Sequence, residues 1–204
     1  MTFRRQRGFS LLELLIVVAI GFTLAGITTI AMMPLFNRSH LDTAYDTTLM
    51  ALRNTRHLAI TQSHQYYVTF TPGTPATIAI TYQPAAINGI LPAVQNVNTY
   101  TLPTDINFAV AGGFPASAPD GFGTGATAID FGQGLGGGSL KYVSFLPDGS
   151  AQDSLGNFNS GVIYLYRTTD TMYQSRSISV WGATGRIRGW RLVQQGGGPI
   201  WVQQ

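Results

Sequence analysis

Gly8 and Phe9 stand at the junction between an arginine-bearing leader and an apolar run, and Glu13 lies a short way inside that run. A secretory signal is cut after its apolar core, whereas a cut between Gly8 and Phe9 would fall in front of it. Such a cut would discard the leader, keep the apolar run and create a new amine at Phe9. Glu13 would then sit just over one helical turn from that amine. A carboxylate inside an apolar helix is costly, about 2.5 to 3.5 kcal/mol at a helix centre on translocon scales, so it needs a partner. The Phe9 amine of a neighbouring copy is a chemically sensible one, and the chemistry is that of assembly.

A second grouping lies near the carboxy terminus. Arg167, Arg176, Arg186, Arg188 and Arg191 face only Asp170 among the acids of that stretch. In Gly185-Arg186-Ile187-Arg188 the two arginines have period-two spacing, so on a strand both guanidinium groups project to one face. Such a fork suits adjacent phosphates of DNA, where affinity comes mainly from neutralising the backbone and is salt-sensitive. Trp181 and Trp190 are close enough in sequence to stack on exposed bases.

Other groupings are weaker. Asp148, Asp153, Asn157 and Asn159 form an oxygen-rich stretch, and hard cations such as calcium want several such ligands. Their spacing matches no calcium loop, and Asp148-Gly149 after Pro147 fits a β-turn better. His57 and His64 fall seven apart without a carboxylate partner, which makes a poor metal site. Gly121, Gly123 and Gly125, and the run from Gly132 to Gly138, lack the preceding strand, following helix and lysine of a phosphate loop. With no cysteine nucleophile and no GxSxG elbow either, the sequence predicts no enzyme, no metal and no cofactor.

These residues need elements to hold them. From Phe9 to Met33 the only ionisable side chain is Glu13, and such a run exceeds the roughly 20 apolar residues that span a bilayer. Arg4, Arg5 and Arg7 keep the amino terminus on the cytoplasmic side. Pro34 should kink the helix. Beyond it, Leu41, Tyr45, Leu49, Leu52, Ala59 and Ile60 recur at helical spacing, with Asp42, Asp46, Arg53 and His57 elsewhere on the surface. From Phe9 to about Ser63 the rod would be about 80 Å long, half in lipid and half against a globular head. The predicted organisation is a leader at 1–8, a membrane-spanning helix half at 9–33, an amphipathic half at 34–65 and a β-rich head at 66–204.

In the head, short segments rich in β-branched and aromatic residues alternate with Gly, Pro, Asn and Asp. Strands are predicted at Tyr66 to Thr71, Thr77 to Tyr82, Ile106 to Val110, Lys141 to Leu146, Val162 to Arg167, Ser175 to Val180 and Ile187 to Val193. Without strand-helix-strand alternation, the sheet should be antiparallel and packed on the helix, an α+β fold. Ala111 to Ser139 reads as a long glycine-rich loop broken by a short strand at Ala128 to Phe131, and the tail GGGPIWVQQ as mobile.

The chain has 204 residues, enough for one domain of about 140 residues beyond the anchor. Its formal charge of +3 is accounted for by the three leader arginines, so overall basicity says little about nucleic acid. There is no cysteine, so the core must hold without disulfides.

GFSLLELLIVVAI resembles the processing and methylation motif of type IV prepilins and type II secretion pseudopilins. The resemblance implies a prepilin peptidase that cuts after Gly8 and N-methylates Phe9, with Glu13 guiding subunit registration. ALRNTRHLAITQSHQYYVTF, LPTDINF, YVSFLPDGSA and SISVWGATGRIRGW resemble successive blocks of the H-type minor pseudopilin and FimT-like minor pilin family. That similarity leaves out the glycine-rich insertion and the tail. It implies a pilin-like fold, anchorage in the inner membrane with a periplasmic head, and other pilin or pseudopilin subunits or a secreted cargo as partners. Many major pilins close a loop with a disulfide, so the absence of cysteine favours a minor subunit. In some FimT-like minor pilins a GRxR segment is associated with DNA binding during natural transformation. The resemblance therefore implies a subunit of a type II secretion system or type IV pilus, with DNA capture through Arg186, Arg188, Arg191 and Arg176 as the alternative.

Overall fold

The computed structural model describes residues 10–84, 86, 90, 92–115, 119–132, 140–153, 155–167, 169 and 171–204, the side chains of 30 and 33–38 lying outside that description. The chain divides into two compact units, Met1–Arg38 and Ser39–Gln204.

Helix α1, Leu11–Gln62, supplies the described part of the first unit. It starts where the Ser10 carbonyl accepts the N–H groups of Glu13 and Leu14, at 3.0 and 3.1 Å. Leu11–Thr29 has a mean hydropathy of 2.3 and no buried residue, and its 19 residues suit a bilayer crossing. The hydroxyls of Thr23, Thr28 and Thr29 donate to the carbonyls of Ile20, Leu24 and Ala25 at 2.8, 2.8 and 2.9 Å. Each hydroxyl of the stretch is thus satisfied inside the helix, as a hydrocarbon surrounding demands. The residues around Pro34 are helical, so the proline does not end the helix.

In the second unit, the part of α1 from Ser39 onward buries Leu41, Ala44, Tyr45, Thr48, Ala51, Leu52, Thr55 and Ala59. Four members of the predicted stripe are among them and Leu49 packs partly, but Ile60 is 41% exposed and drops out. The stripe is instead completed by small residues. Thr48 and Thr55 donate their hydroxyls to the Ala44 and Ala51 carbonyls, both at 2.7 Å, so burying them leaves no unpaired donor.

Eleven strands follow among the described residues: β1 Tyr66–Thr71, β2 Thr77–Tyr82, β3 Gln95–Thr101, β4 Asn107–Phe108, β5 Ile129–Phe131, β6 Tyr142–Phe145, β7 Ala151–Gln152, β8 Gly161–Tyr166, β9 Arg176–Trp181, β10 Arg186–Gln195 and β11 Gly198–Gln203. They form two sheets where one was expected, in the orders β3-β2-β1-β6-β7 and β11-β10-β9-β8-β4, with β5 also pairing with β8. Every strand pairing described is antiparallel, and the α+β class holds. Val68, Phe70, Ile78, Ile80 and Phe145 of the first sheet share one core with Ile163, Leu165, Ile178 and Val180 of the second and with the α1 stripe. Phe70 joins the sheets: its ring stacks on Phe131 at 5.9 Å and meets the edge of Phe108 at 5.5 Å.

Three strands escape the sequence reading. β3 is exposed along almost its whole length, so it has no buried alternation to read. Its register on β2 jumps between Ile80 opposite Asn98 and Thr81 opposite Asn96, leaving Val97 as a bulged extra residue. β7 is two residues long. The tail expected to be mobile is β11, paired with β10 from Trp190 opposite Gln203 to Gln195 opposite Gly198. In the glycine-rich segment, a short 3₁₀ turn at Pro119–Gly121 and β5 at Ile129–Phe131 are described, whereas Gly134 to Gly138 lie outside the described residues.

Candidate functional site

Three of the arginines that face a single acid in sequence meet acids from far away in the chain. Arg167 Nε lies 3.1 Å from Asp105 Oδ2, which also faces His40 Nδ1 at 3.0 Å. Arg176 Nη2 lies 2.7 Å from Asp42 Oδ1, and Arg188 Nη1 lies 2.7 Å from Asp120 Oδ1. Burial pulls the Arg176 guanidinium below its ordinary value while Asp42 pushes back. Asp170 lies outside the described residues.

The Arg186–Arg188 fork sits on β10, where Arg186 is opposite Trp181 and Arg188 opposite Ser179 on β9. Period-two spacing does put Arg186, Arg188 and Trp190 on one face, of which Arg186 is exposed while Arg188 and Trp190 are half-buried. Asp120, held at φ 55° in the left-handed region that Asp tolerates, takes Arg188 on one oxygen and accepts the Ser179 hydroxyl on the other at 2.7 Å. Ser179 Oγ in turn accepts the Trp190 indole N–H at 2.9 Å. The Phe122 ring meets Trp181 edge-on at 5.3 Å, and the Arg186 guanidinium lies 5.8 Å above the Trp181 ring. Arg188 is thus paired with a carboxylate, and both indoles have protein partners. Arg186 and Arg191 are exposed and have no ion pair among the described residues.

Arg186 instead lines a cleft of about 370 Å³ with Arg53, Arg56, Thr184, Gly185 and Ile187. Arg56 builds it: Nε donates to the Gly149 carbonyl at 3.0 Å and Nη2 to the Thr184 carbonyl at 3.1 Å, clamping two turns to α1. Gly185, at φ +60°, approaches Gly149 so closely that a Cβ there would lie 1.9 Å from the Gly149 oxygen. The sequence reading missed Arg53 and Arg56 as site residues. Their three-residue spacing on a helix, which puts them on neighbouring turns, was the available signal.

The oxygen-rich stretch is occupied by donors. Asp153 Oδ1 accepts the N–H groups of Leu155 and Asn157, both at 2.8 Å, and Oδ2 accepts the Asn157 amide at 3.2 Å. Burial pushes the Asp153 carboxyl up, but the Asn157, Leu155 and Gly156 donors outweigh it and hold the group below the usual carboxylate range. Asp148 Oδ1 accepts the Ser150 hydroxyl at 2.7 Å and the Ser150 N–H at 2.8 Å, which lower its pKa as well. Asn159 Oδ1 accepts the Gly132 N–H at 2.7 Å. These are turn contacts, with carboxylate oxygens facing protein donors rather than converging on a cation. His57 is exposed, and His64 stacks on Tyr82 at 6.0 Å.

Glu13 is exposed in the first turn of α1. Arg4, Arg5, Arg7, Gly8 and Phe9 lie outside the described residues.

Residues 3–29 match the prokaryotic N-terminal methylation motif. The amino terminus is thus that of a prepilin-like protein. No curated protein matches the chain. Among solved structures, the type IV minor pilin FimU of Pseudomonas aeruginosa is similar over 76% of this chain and 90% of its own, at 12% identity and a TM-score of 0.44.

Proposed function

We propose that the chain is a minor pseudopilin or minor pilin: an inner-membrane subunit, cut by a prepilin peptidase between Gly8 and Phe9, that enters a type II secretion or type IV pilus filament or its tip. The observation that carries this reading is the methylation motif at residues 3–29, overlapping an apolar stretch from Phe9 to Met33 whose only ionisable side chain is Glu13. The apolar helices would pack laterally in the filament, with Glu13 neutralising the Phe9 amine of the next subunit, because an unpaired carboxylate among apolar helices is costly. The head would contact other subunits or a secreted cargo. The amino terminus would face the cytoplasm and the head the periplasm.

Capture of DNA through Arg186, Arg188, Arg191 and Arg176 stands behind this reading, because Arg176 and Arg188 already have carboxylate partners. Intact mass of the protein purified from its native membrane tests the leading reading. A chain starting at N-methylated Phe9 is expected, and an uncut chain starting at Met1 would reduce the protein to an ordinary signal-anchored one.

A further inference from the structure

The cleft between the later turns of α1 and the β9–β10 turn has an unusual charge balance. Three of its six lining residues, Arg53, Arg56 and Arg186, are cationic and none is acidic. Elsewhere in the head the chain matches its buried or half-buried arginines with carboxylates, at Arg167, Arg176 and Arg188. None of the three cleft arginines has an ion pair among the described residues. Asp148, which precedes the Gly149 that Arg56 holds, spends its Oδ1 on Ser150.

The cleft is also built in advance. Both described hydrogen bonds of Arg56 go to carbonyl oxygens, so its guanidinium is fixed in place without its charge being neutralised. Arg186 is steadied over Trp181. Gathering like charges costs energy, and holding them rigidly removes the ordering cost that a bound anion would otherwise meet. A lone carboxylate entering the cleft would leave two of the three cations unmatched. A terminal phosphate or pyrophosphate carries more charge, and any phosphate offers several oxygens to planar guanidinium forks.

We propose that Arg53, Arg56 and Arg186 form a binding site for a phosphate group. It differs from the fork read in the sequence, because Arg188 belongs to Asp120 and the helix supplies two of the three cations. The site stands independently of the filament reading, which rests on the amino terminus.

The test uses the full chain in micelles of a neutral detergent at low salt, with inorganic pyrophosphate and a single-stranded oligothymidylate as probes and calorimetry as the readout. Saturable binding is expected, weakened about tenfold by Arg53→Gln and likewise by Arg186→Gln. Lys141→Gln, an exposed cation outside the cleft, should leave it unchanged. Arg56 is kept because it clamps two turns. Competition between the two probes would assign the site to a nucleic-acid backbone, and pyrophosphate binding alone would assign it to a free or terminal phosphate. The proposal is overturned if neither probe saturates, if Lys141→Gln weakens binding as much as the cleft variants, or if polyglutamate binds more tightly than both phosphate probes.

Discussion

Asp120 and Arg188, 68 residues apart in the chain, meet at 2.7 Å in a part-buried pair on the second sheet. Asp120 belongs to the glycine-rich insertion, which the family resemblance does not cover, and Arg188 to the GRIR segment, which it does. The insertion therefore supplies a carboxylate partner to one of the two arginines of the segment that invites a DNA-binding reading. Asp120→Asn should lower stability by about 1 to 3 kcal/mol, since it leaves Arg188 and Ser179 short of an acceptor. Urea unfolding of this variant, of Arg188→Gln and of the double variant should give a double-mutant loss smaller than the sum of the singles. Additive losses would mean that the pair is not coupled.

The helix closes on the second sheet where Tyr45 lies over Gly189, at which a Cβ would sit 1.6 Å from the phenol oxygen. Gly189→Ala should cost about 2 kcal/mol or more, because the helix must lift or the ring must turn. Removing the hydroxyl with Tyr45→Phe in the same chain should restore part of the loss in thermal unfolding. No loss in Gly189→Ala would show that the approach is looser than described.

Acid should weaken the head through Asp148 and Asp153. The folded-state pKa of each lies below its ordinary value, so each contributes stability at neutral pH, where both folded and unfolded carboxylates are charged. That contribution begins to fade near the ordinary carboxylate value of about 4 and is lost as the pH falls through the lower folded value. Comparing urea midpoints at neutral pH and at about pH 3, the natural protein should lose more than Asp153→Asn does. An equal loss in both would remove Asp153 from the acid response.

Glu13→Ala should leave cleavage after Gly8 intact while impairing incorporation into filaments. Mass spectrometry of the membrane fraction reads the first effect and recovery of the subunit in sheared filaments reads the second. Normal incorporation of the variant would remove the registration role.

The sequence was legible where one face of an element is buried and its period shows. β1 and β2 fall where Tyr66 to Thr71 and Thr77 to Tyr82 alternate, and the α1 stripe is marked by Leu41, Tyr45 and Leu52. Burial of Ala44, Thr48, Ala51 and Thr55 was hidden, because small residues carry little hydrophobic signal and the threonine hydroxyls are satisfied within the helix. β3 was hidden because water meets both of its faces, and β11 because Pro199 and the preceding glycines read as a loose end. At the candidate site, the arginines of the carboxy-terminal cluster were visible but their partners were not. Asp42, Asp105 and Asp120 are brought to them by tertiary folding, which no local spacing encodes. Arg53 passed for an ordinary polar position off the packing stripe, and Arg56 was not singled out.

The bulge at Val97 bears on how heads behave when crowded. β3 ends its sheet with a row of backbone donors and acceptors open to water, the kind of rim onto which a strand from another molecule can graft and start aggregation. The skipped pairing between Asn98 and Asn96 breaks the even spacing that such a graft would have to follow, and beside the exposed Val97 the strand offers an incoming partner the polar Gln95, Asn96, Asn98 and Thr99. The rim can therefore stay wet at high subunit density, and contacts between heads are left to surfaces formed by side chains.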